Sequence, residues 1–134
     1  MKKLFYIFIL LFIVGWVQAQ QRVVYTINDG WKFTKGSPFE AQLTGCDDSS
    51  WETVNIPHTW NDKDADDETP GFYRGPVWYR KQLFIDKSQE GRQAVIYFEG
   101  ANQEVRFYLN GQFVGEHKGG YTRFCFVITP HLRY

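Results

Sequence analysis

The side chains of this sequence that could support catalysis or metal binding do not form a known catalytic pattern. The acidic stretch at residues 62–68 begins Asp-x-Asp-x-Asp, as a calcium-binding EF-hand loop does. Counted from Asp62, the sixth position holds Asp67 and the twelfth holds Tyr73, where an EF-hand requires Gly and Glu. An EF-hand is therefore excluded, and the stretch is either a solvated loop or part of a rim that faces a ligand.

Histidines, serines and the other carboxylates give no stronger signal. His58, His117 and His131 lack the short spacing typical of metal ligands, and no serine lies in a strand-turn-helix elbow. A retaining glycosidase needs two carboxyl groups ~5–5.5 Å apart, one of them in an apolar pocket that raises its pKa. Apart from Glu52 and Glu99 within predicted strands, every acidic residue lies in a polar loop or beside a turn. The sequence thus predicts no catalytic residue, no metal and no cofactor in this chain.

The two cysteines, Cys46 and Cys125, would face an oxidising compartment after export. A single disulfide would use both of them, but their spacing matches no small disulfide-rich scaffold. The sequence therefore favours two free thiols. Cys125 lies within the apolar run at residues 124–128, which predicts a small buried strand residue at that position.

Aromatic residues are abundant, and most of them are expected to fill a core, which is the usual place of Trp and Phe in strands. Aromatic faces also stack on the C–H surfaces of sugars, while carboxylates and amides bind the hydroxyl groups. The aromatic side chains in predicted loops are the candidates for such contacts. They are Trp60, Tyr73 and Tyr121.

The N-terminus and the charge balance limit the location and the partners of the protein. Residues 1–19 combine Lys2 and Lys3, an apolar run over residues 4–14, and Ala19 before the cleavage point, which is the layout of a secretory signal peptide. The apolar run is shorter than the ~20 residues of a membrane span. Cleavage leaves residues 20–134 with 13 basic and 15 acidic side chains, a net charge of −2. We expect a secreted or periplasmic protein that is not held in the membrane and has no basic surplus for nucleic acid.

Beyond the signal peptide the chain is predicted to be all-β, because short apolar strands alternate with turn residues and no helical periodicity occurs. This pattern is typical of a sandwich or barrel. The least strand-like region is the polar stretch at residues 61–75, the acidic loop, and loops that long are usually functional or mobile. The predicted strands occupy residues 23–27, 31–33, 51–56, 77–85, 94–98, 105–109 and 124–128.

A hairpin is predicted around Asn110-Gly111, because both residues tolerate the positive φ of a type I′ turn between apolar runs. The returning strand then meets residues 117–122, His-Lys-Gly-Gly-Tyr-Thr, which are poor material for a strand interior. Gly119 and Gly120 would let the backbone turn toward the next strand.

Four blocks of sequence, in order, resemble the N-terminal domain of glycoside hydrolase family 2. The resemblance covers nearly all of residues 20–134. The blocks are Asp-Asp-Ser-Ser-Trp with Val-Asn-Ile-Pro-His-Thr-Trp at residues 47–60, Trp-Tyr-Arg-Lys followed by Phe at 78–84, Phe-Glu-Gly-Ala before Leu-Asn-Gly at 98–111, and Val-Gly-Glu-His-Lys-Gly-Gly-Tyr-Thr at 114–122.

The resemblance implies the sugar-binding domain of a secreted β-galactosidase or of its β-glucuronidase and β-mannosidase relatives. It implies a jelly-roll β-sandwich placed before immunoglobulin-like and TIM-barrel domains, with the catalytic glutamates in the barrel. The family domain is longer than this chain, so the sandwich is expected to be truncated at its C-terminal end. Many relatives carry Asp at the position of Val127, so no polar role is expected there.

The expected partner is a carbohydrate, most simply a β-galactoside-like glycan, together with the downstream domains of the parent enzyme. The alternative is a stand-alone secreted carbohydrate-binding or adhesion module. Under the first interpretation, the 117–121 segment and the acidic loop both border the mouth of the barrel; the competing interpretation is that this segment only shapes a domain interface. The expected substrate-rim residues are Trp60, Asn61, Asp62, Asp64, Tyr73, His117, Lys118 and Tyr121.

Overall fold

The computed structural model describes residues 21–61 and 72–134, and the regular structure in these ranges is almost entirely strand. The two short helical segments are 3₁₀ turns at Lys87–Gln89 and Thr129–His131. This confirms the all-β prediction. The strands are β1 Trp31–Lys35, β2 Glu52–Val54, β3 Val77–Arg80, β4 Val95–Phe98, β5 Glu104–Leu109, β6 Gln112–Lys118 and β7 Phe124–Val127.

The strands form three small antiparallel sheets. β1 lies between β2 and β3 in the first sheet, β4 pairs with β7 in the second, and β5 pairs with β6 in the third. The three N-terminal strands thus pair with one another, whereas β4 pairs with β7, which follows the β5–β6 hairpin in the chain.

The predicted hairpin turn is confirmed. Asn110 and Gly111 both have positive φ, 52° and 82°, as a type I′ turn requires. The β5–β6 register is shifted by one residue between Phe107 and Tyr108, since Phe107 lies opposite Gly115 while Tyr108 lies opposite Phe113. Val114 is the extra residue of this bulge.

An aromatic cluster joins the second sheet to the third. Phe98 of β4 stacks on Phe124 of β7 with ring centroids 4.8 Å apart, and Phe107 of β5 stacks on Phe126 of β7 at 5.4 Å. Gly115 makes room for this packing, because a Cβ atom there would lie 2.6 Å from a ring carbon of Phe126. The inner faces of β4, β5 and β7 are therefore packed through rings.

Two predicted strands differ from the structure. Residues 23–27 form no strand, and Val24 and Tyr25 are each 72% exposed, so the β-branched pattern alone did not create a pairing partner. The predicted strand at residues 77–85 ends at Arg80, because β1 pairs only with Val77–Arg80. Beyond that point Phe84 is 90% exposed. Strand propensity was present in both segments, but the ladder hydrogen bonds that define a strand were not.

The prediction that Cys125 is buried is also wrong. Cys125 lies in β7 opposite Tyr97, on the face turned away from the aromatic cluster, and it is exposed. The side-chain alternation of a strand decides this, since Phe124 and Phe126 occupy the inner face. Cys46 is half-buried, and both cysteines are free.

The predicted signal peptide at residues 1–19 and most of the acidic loop, residues 62–71, lie outside the described ranges. Asp62 and Asp64 are among these residues. Within residues 21–61 and 72–134, no helix reaches the length and hydrophobicity needed to cross a membrane.

Candidate functional site

The segment between β6 and β7 is a tight turn held by its backbone. Gly119 has φ of 130°, and its N–H donates to the carbonyl of Gln103 at 2.7 Å, just before β5. This confirms that Gly119 lets the chain turn out of the hairpin. Gly120 packs against Asn102, whose side-chain oxygen would lie 3.3 Å from an added Cβ atom. Both glycines are therefore positions where a side chain is restricted.

His117 is part of the packing beneath this turn. Its ring stacks on Phe124 with centroids 4.1 Å apart and an interplanar angle of 13°. Its Nε2 atom lies 2.9 Å from the hydroxyl of Thr122. This contact connects the end of β6 to the residues that lead into β7. His117 thus stabilises the turn through its contacts with Phe124 and Thr122.

Lys118 and Tyr121 lie elsewhere around the same turn. Lys118 is on the opposite face of β6 from His117, and its Nζ lies 3.8 Å from a carboxylate oxygen of Glu104. Tyr121 is fully exposed, at 101% of its reference area. The structure therefore does not bring His117 and Lys118 to one surface, while the turn presents the Tyr121 ring to solvent.

Trp60 and Asn61 precede the undescribed part of the acidic loop, and both are half-buried. The side-chain oxygen of Asn61 is buried and has no hydrogen-bond partner among the described residues, and its backbone N–H donates weakly to the Thr59 hydroxyl at 3.4 Å. No hydrogen bond or ring contact among the described residues joins Trp60 to Tyr121. The two aromatic candidates thus belong to separate loops.

Tyr73 closes the acidic loop on its C-terminal side. Its hydroxyl donates to the carbonyl of Pro76 at 2.8 Å and accepts the N–H of Gly36 at 2.9 Å, at the end of β1. Lys35 lies over the ring, with Nζ 5.3 Å from its centroid. These contacts tie the loop to the first sheet, and they occupy the hydroxyl that would otherwise be available to a sugar.

A partly buried cluster around His58, three residues before Asn61, was not predicted as a functional feature. The hydroxyl of Tyr79 lies 2.8 Å from Nδ1 of His58, and both rings pack on the buried ring of Phe33 at 5.0 and 4.7 Å. Burial raises the pKa of Tyr79 to about 12. His58 follows the cis bond between Ile56 and Pro57. In the sequence, the only indication of this cluster was the Pro-His pair, which ends the predicted strand shortly before Trp60.

Arg80 fixes the loop between β1 and β2 from the neighbouring strand. Its guanidinium donates to Asp48 at 3.0 Å and to the carbonyls of Ala41 and Leu43 at 2.5 and 2.8 Å, and it lies over the ring of Trp51. The planar five-donor group suits this three-partner arrangement better than an ammonium would. The Asp-Asp-Ser-Ser-Trp and Trp-Tyr-Arg-Lys blocks therefore meet in space.

The shifted carboxyl groups are turn residues, and none resembles a general acid. Hydrogen bonds from the side chain and backbone of Ser49 lower the pKa of Asp47, and those of Ser88 do the same for Asp86. A general acid at neutral pH needs the opposite shift. The described ranges also contain no cluster of three or more His, Cys, Asp or Glu side chains that could hold a metal.

Comparison with known proteins places this arrangement in a family. Residues 16–134 match the family model described as glycosyl hydrolases family 2, sugar binding domain. The chain belongs to this family. The match covers the sandwich, the turn at Gly119 and both ends of the acidic loop, so the sequence resemblance to family 2 is confirmed.

Curated relatives include both β-glucuronidases and β-galactosidases. A β-glucuronidase of Formosa agariphila is 37% identical over 126 residues, which are 88% of this chain and 13% of the relative. A β-galactosidase of Thermoanaerobacter pseudethanolicus is 36% identical over 113 residues, 84% of this chain and 15% of the relative. Among solved structures, the β-glucuronidase of Bacteroides uniformis superposes with a TM-score of 0.78 at 42% identity, over 84% of this chain and 13% of that one.

This family domain therefore spans about an eighth of the relatives' length. The strands described above are the counterpart of one β-sandwich domain in a much larger glycoside hydrolase. The residues of this chain supply the sugar-binding domain, and the catalytic domain of such an enzyme is not among them.

Proposed function

We propose that residues 20–134 act as the sugar-binding domain of an exported β-glycosidase of family 2. The observation that carries the proposal is the match of residues 16–134 to the family's sugar-binding domain, together with glycosidase relatives over 84–88% of the chain. In this role the chain binds and positions a glycan, and the hydrolysis of the O-glycosidic bond belongs to carboxylates supplied elsewhere in the parent enzyme.

The contact with substrate is assigned to the exposed loops rather than to the sheets. Tyr121 offers a fully exposed ring at a turn whose backbone is fixed by the Gly119–Gln103 hydrogen bond and by His117. A rigid turn holds the ring in place at little conformational cost when a sugar stacks on it. Trp60 contributes a second ring, and Asn61, Asp62 and Asp64 are the candidates for binding sugar hydroxyls.

The sugar is a β-galactoside or a β-glucuronide. The order of the sequence blocks suggested a β-galactosidase, and a 36%-identical β-galactosidase supports that choice. The 37%-identical curated relative and the 42%-identical structure are β-glucuronidases, which supports the glucuronide as the second candidate. Both substrates therefore belong in the test.

A domain replacement tests the proposal directly. Residues 21–134 replace the matching segment of the Bacteroides uniformis β-glucuronidase, and the chimera is assayed with nitrophenyl β-glucuronide and nitrophenyl β-galactoside. We expect an active chimera in which Tyr121→Ala or Trp60→Ala lowers kcat/KM about tenfold, corresponding to about 1.4 kcal/mol of transition-state stabilisation.

Phe39→Ala is the control for Tyr121→Ala, because Phe39 is also a strongly exposed aromatic residue, at 89%, outside the candidate site. It should leave kcat/KM unchanged. A soluble chimera without activity, combined with glycan binding by the separate chain, would instead favour a stand-alone carbohydrate-binding or adhesion module. An active chimera that is indifferent to Tyr121→Ala and Trp60→Ala would remove the substrate role of these loops.

Export is part of the same proposal and rests on the signal-peptide layout of residues 1–19. A fusion of residues 1–134 to a periplasmic reporter should be processed after Ala19, which N-terminal sequencing of the mature protein detects. Replacing Lys2 and Lys3 and interrupting the apolar run with Asp should keep the reporter in the cytoplasm.

A further inference from the structure

The outer faces of the second and third sheets differ in chemistry. At the Gly119 end of the third sheet, the outward residues of β5 and β6 are charged and paired across the strands, with Glu104 opposite Lys118 and Arg106 opposite Glu116. Toward the Asn110-Gly111 turn, the aromatic pair of Tyr108 and Phe113 replaces them. Arg106 lies within 3.6 Å of Glu104 and 3.9 Å of Glu116. Such a face is stable in water, because alternating charges satisfy one another and remain hydrated.

The outer face of the second sheet is apolar. Val95 lies opposite Val127 and Tyr97 lies opposite Cys125, and these side chains alternate with the aromatic residues of the inner face. Val95, Tyr97 and Val127 are 48, 54 and 49% exposed, and Cys125 is exposed as well. A two-stranded sheet with apolar side chains on both faces is the pattern expected of a strand pair that is covered on both sides.

We infer that the β4–β7 outer face, defined by Val95, Tyr97, Cys125 and Val127, is a docking surface for apolar side chains from the remaining polypeptide of the parent glycoside hydrolase. The inference rests on the proposed function. The glucuronidase and galactosidase relatives carry this domain within chains of which it is only 13–15%, so a large further polypeptide accompanies it in each of them. The contiguous apolar patch is the part of the β4–β7 sheet that such a polypeptide would remove from water.

The partner's chemistry follows from the face itself. It carries no charge, so a charged partner surface would lose its hydration without gaining an ion pair. Aliphatic and aromatic side chains are complementary to the two valines, and the Tyr97 hydroxyl at the rim would bond a backbone or polar group. The charged β5–β6 outer face, in contrast, remains in solvent.

Cys125 provides a built-in probe of this arrangement, because it lies within the face and is exposed in the isolated domain. In the glucuronidase chimera described above, the Cys125 thiol is labelled with iodoacetamide and followed by peptide mass spectrometry. The matched control is the thiol introduced by Arg106→Cys on the β5–β6 outer face, where the side chain is 63% exposed. Enzyme activity verifies that each chimera is folded.

We expect Cys125 to react at least about tenfold more slowly than the thiol introduced at position 106, and the protection to persist on dilution. Equal labelling of both thiols in an active chimera would overturn the inference while leaving the sugar-binding role intact. Protection that disappears on dilution would also overturn it, because a second copy would then be the occupant. If the chimera does not fold, the same comparison is made with single cysteines at the two aligned positions of the Bacteroides uniformis enzyme, with the same decisive outcomes.

Discussion

The ring of Phe126 lies directly over Gly115, and an added Cβ atom at Gly115 would come within 2.6 Å of it. Phe126 also stacks on Phe107, the residue opposite Gly115 in the hairpin, with centroids 5.4 Å apart. One glycine therefore allows β7 to pack on the β5–β6 hairpin. The contact between the second and third sheets depends on this missing side chain.

Gly115→Ala should destabilise the domain by about 1–3 kcal/mol, the usual cost of overpacking a close contact. Gly45→Ala is the control, because a Cβ atom at Gly45 meets nothing within 4 Å. It should change the stability by less than about 0.5 kcal/mol. Urea denaturation at low protein concentration measures both, and equal stability of the two variants would show that Phe126 moves aside without cost.

Arg80→Met should cost about 1–3 kcal/mol, because it leaves the carbonyls of Ala41 and Leu43 and the carboxylate of Asp48 without their donor. The matched variant is Arg106→Met, which removes an exposed arginine with two long ion pairs at 3.6 and 3.9 Å. That change should cost at most about 0.5 kcal/mol. A similar loss in the two variants would mean that Arg80 does not hold the β1–β2 loop.

The phenol of Tyr79 should titrate near pH 12 in the folded domain, compared with ~10 for a free tyrosine. Its folded pKa is raised, so its contribution to stability is complete below pH ~10 and is lost as the pH rises toward 12. Absorbance of the phenolate near 295 nm follows the titration. Tyr79→Phe should remove the late component, and the same protein in urea should lack it. A wild-type titration without a late component would contradict the prediction.

Purified residues 20–134 should not hydrolyse nitrophenyl β-galactoside or β-glucuronide above background, since the sequence predicts no acid and nucleophile pair. In addition, the carboxyl groups with shifted pKa values among the described residues are shifted downward, away from the range of a general acid. The active chimera is the positive control for the assay. Turnover that survives repurification and disappears when an acidic residue of this chain is replaced would contradict this expectation.

The isolated chain should self-associate in a concentration-dependent manner, because Phe84, Val95 and Val127 expose apolar surface beside open strand edges. Sedimentation velocity over a concentration series measures this. Phe84→Lys combined with Val127→Lys should shift the protein toward monomer. Gln82→Lys with Gln93→Lys adds the same charge at exposed polar positions and should not. A monodisperse wild-type monomer at every concentration would show that these surfaces are inert.

The sequence by itself determined the local features whose cause lies within a few residues. The type I′ turn followed from the positive φ that Asn110 and Gly111 tolerate, and the turn at Gly119 followed from the same property of glycine. The all-β class followed from short apolar runs between turn residues. The family followed from four ordered blocks of sequence. Two of these blocks contact each other in the fold, through the hydrogen bond from Arg80 to Asp48.

The tertiary structure decided which segments found partners and which way their side chains point. Residues 23–27 and 81–85 have strand-like composition but no ladder, since a strand exists only when another strand supplies its hydrogen bonds. Cys125 faces outward, and His117 and Lys118 lie on opposite faces of β6, because register and pleat fix orientation with a period of two residues. Composition does not encode that register. It is set when Phe98, Phe107, Phe124 and Phe126 pack together on the inner face, because the adjacent side chains of the same strands must then lie on the outer face.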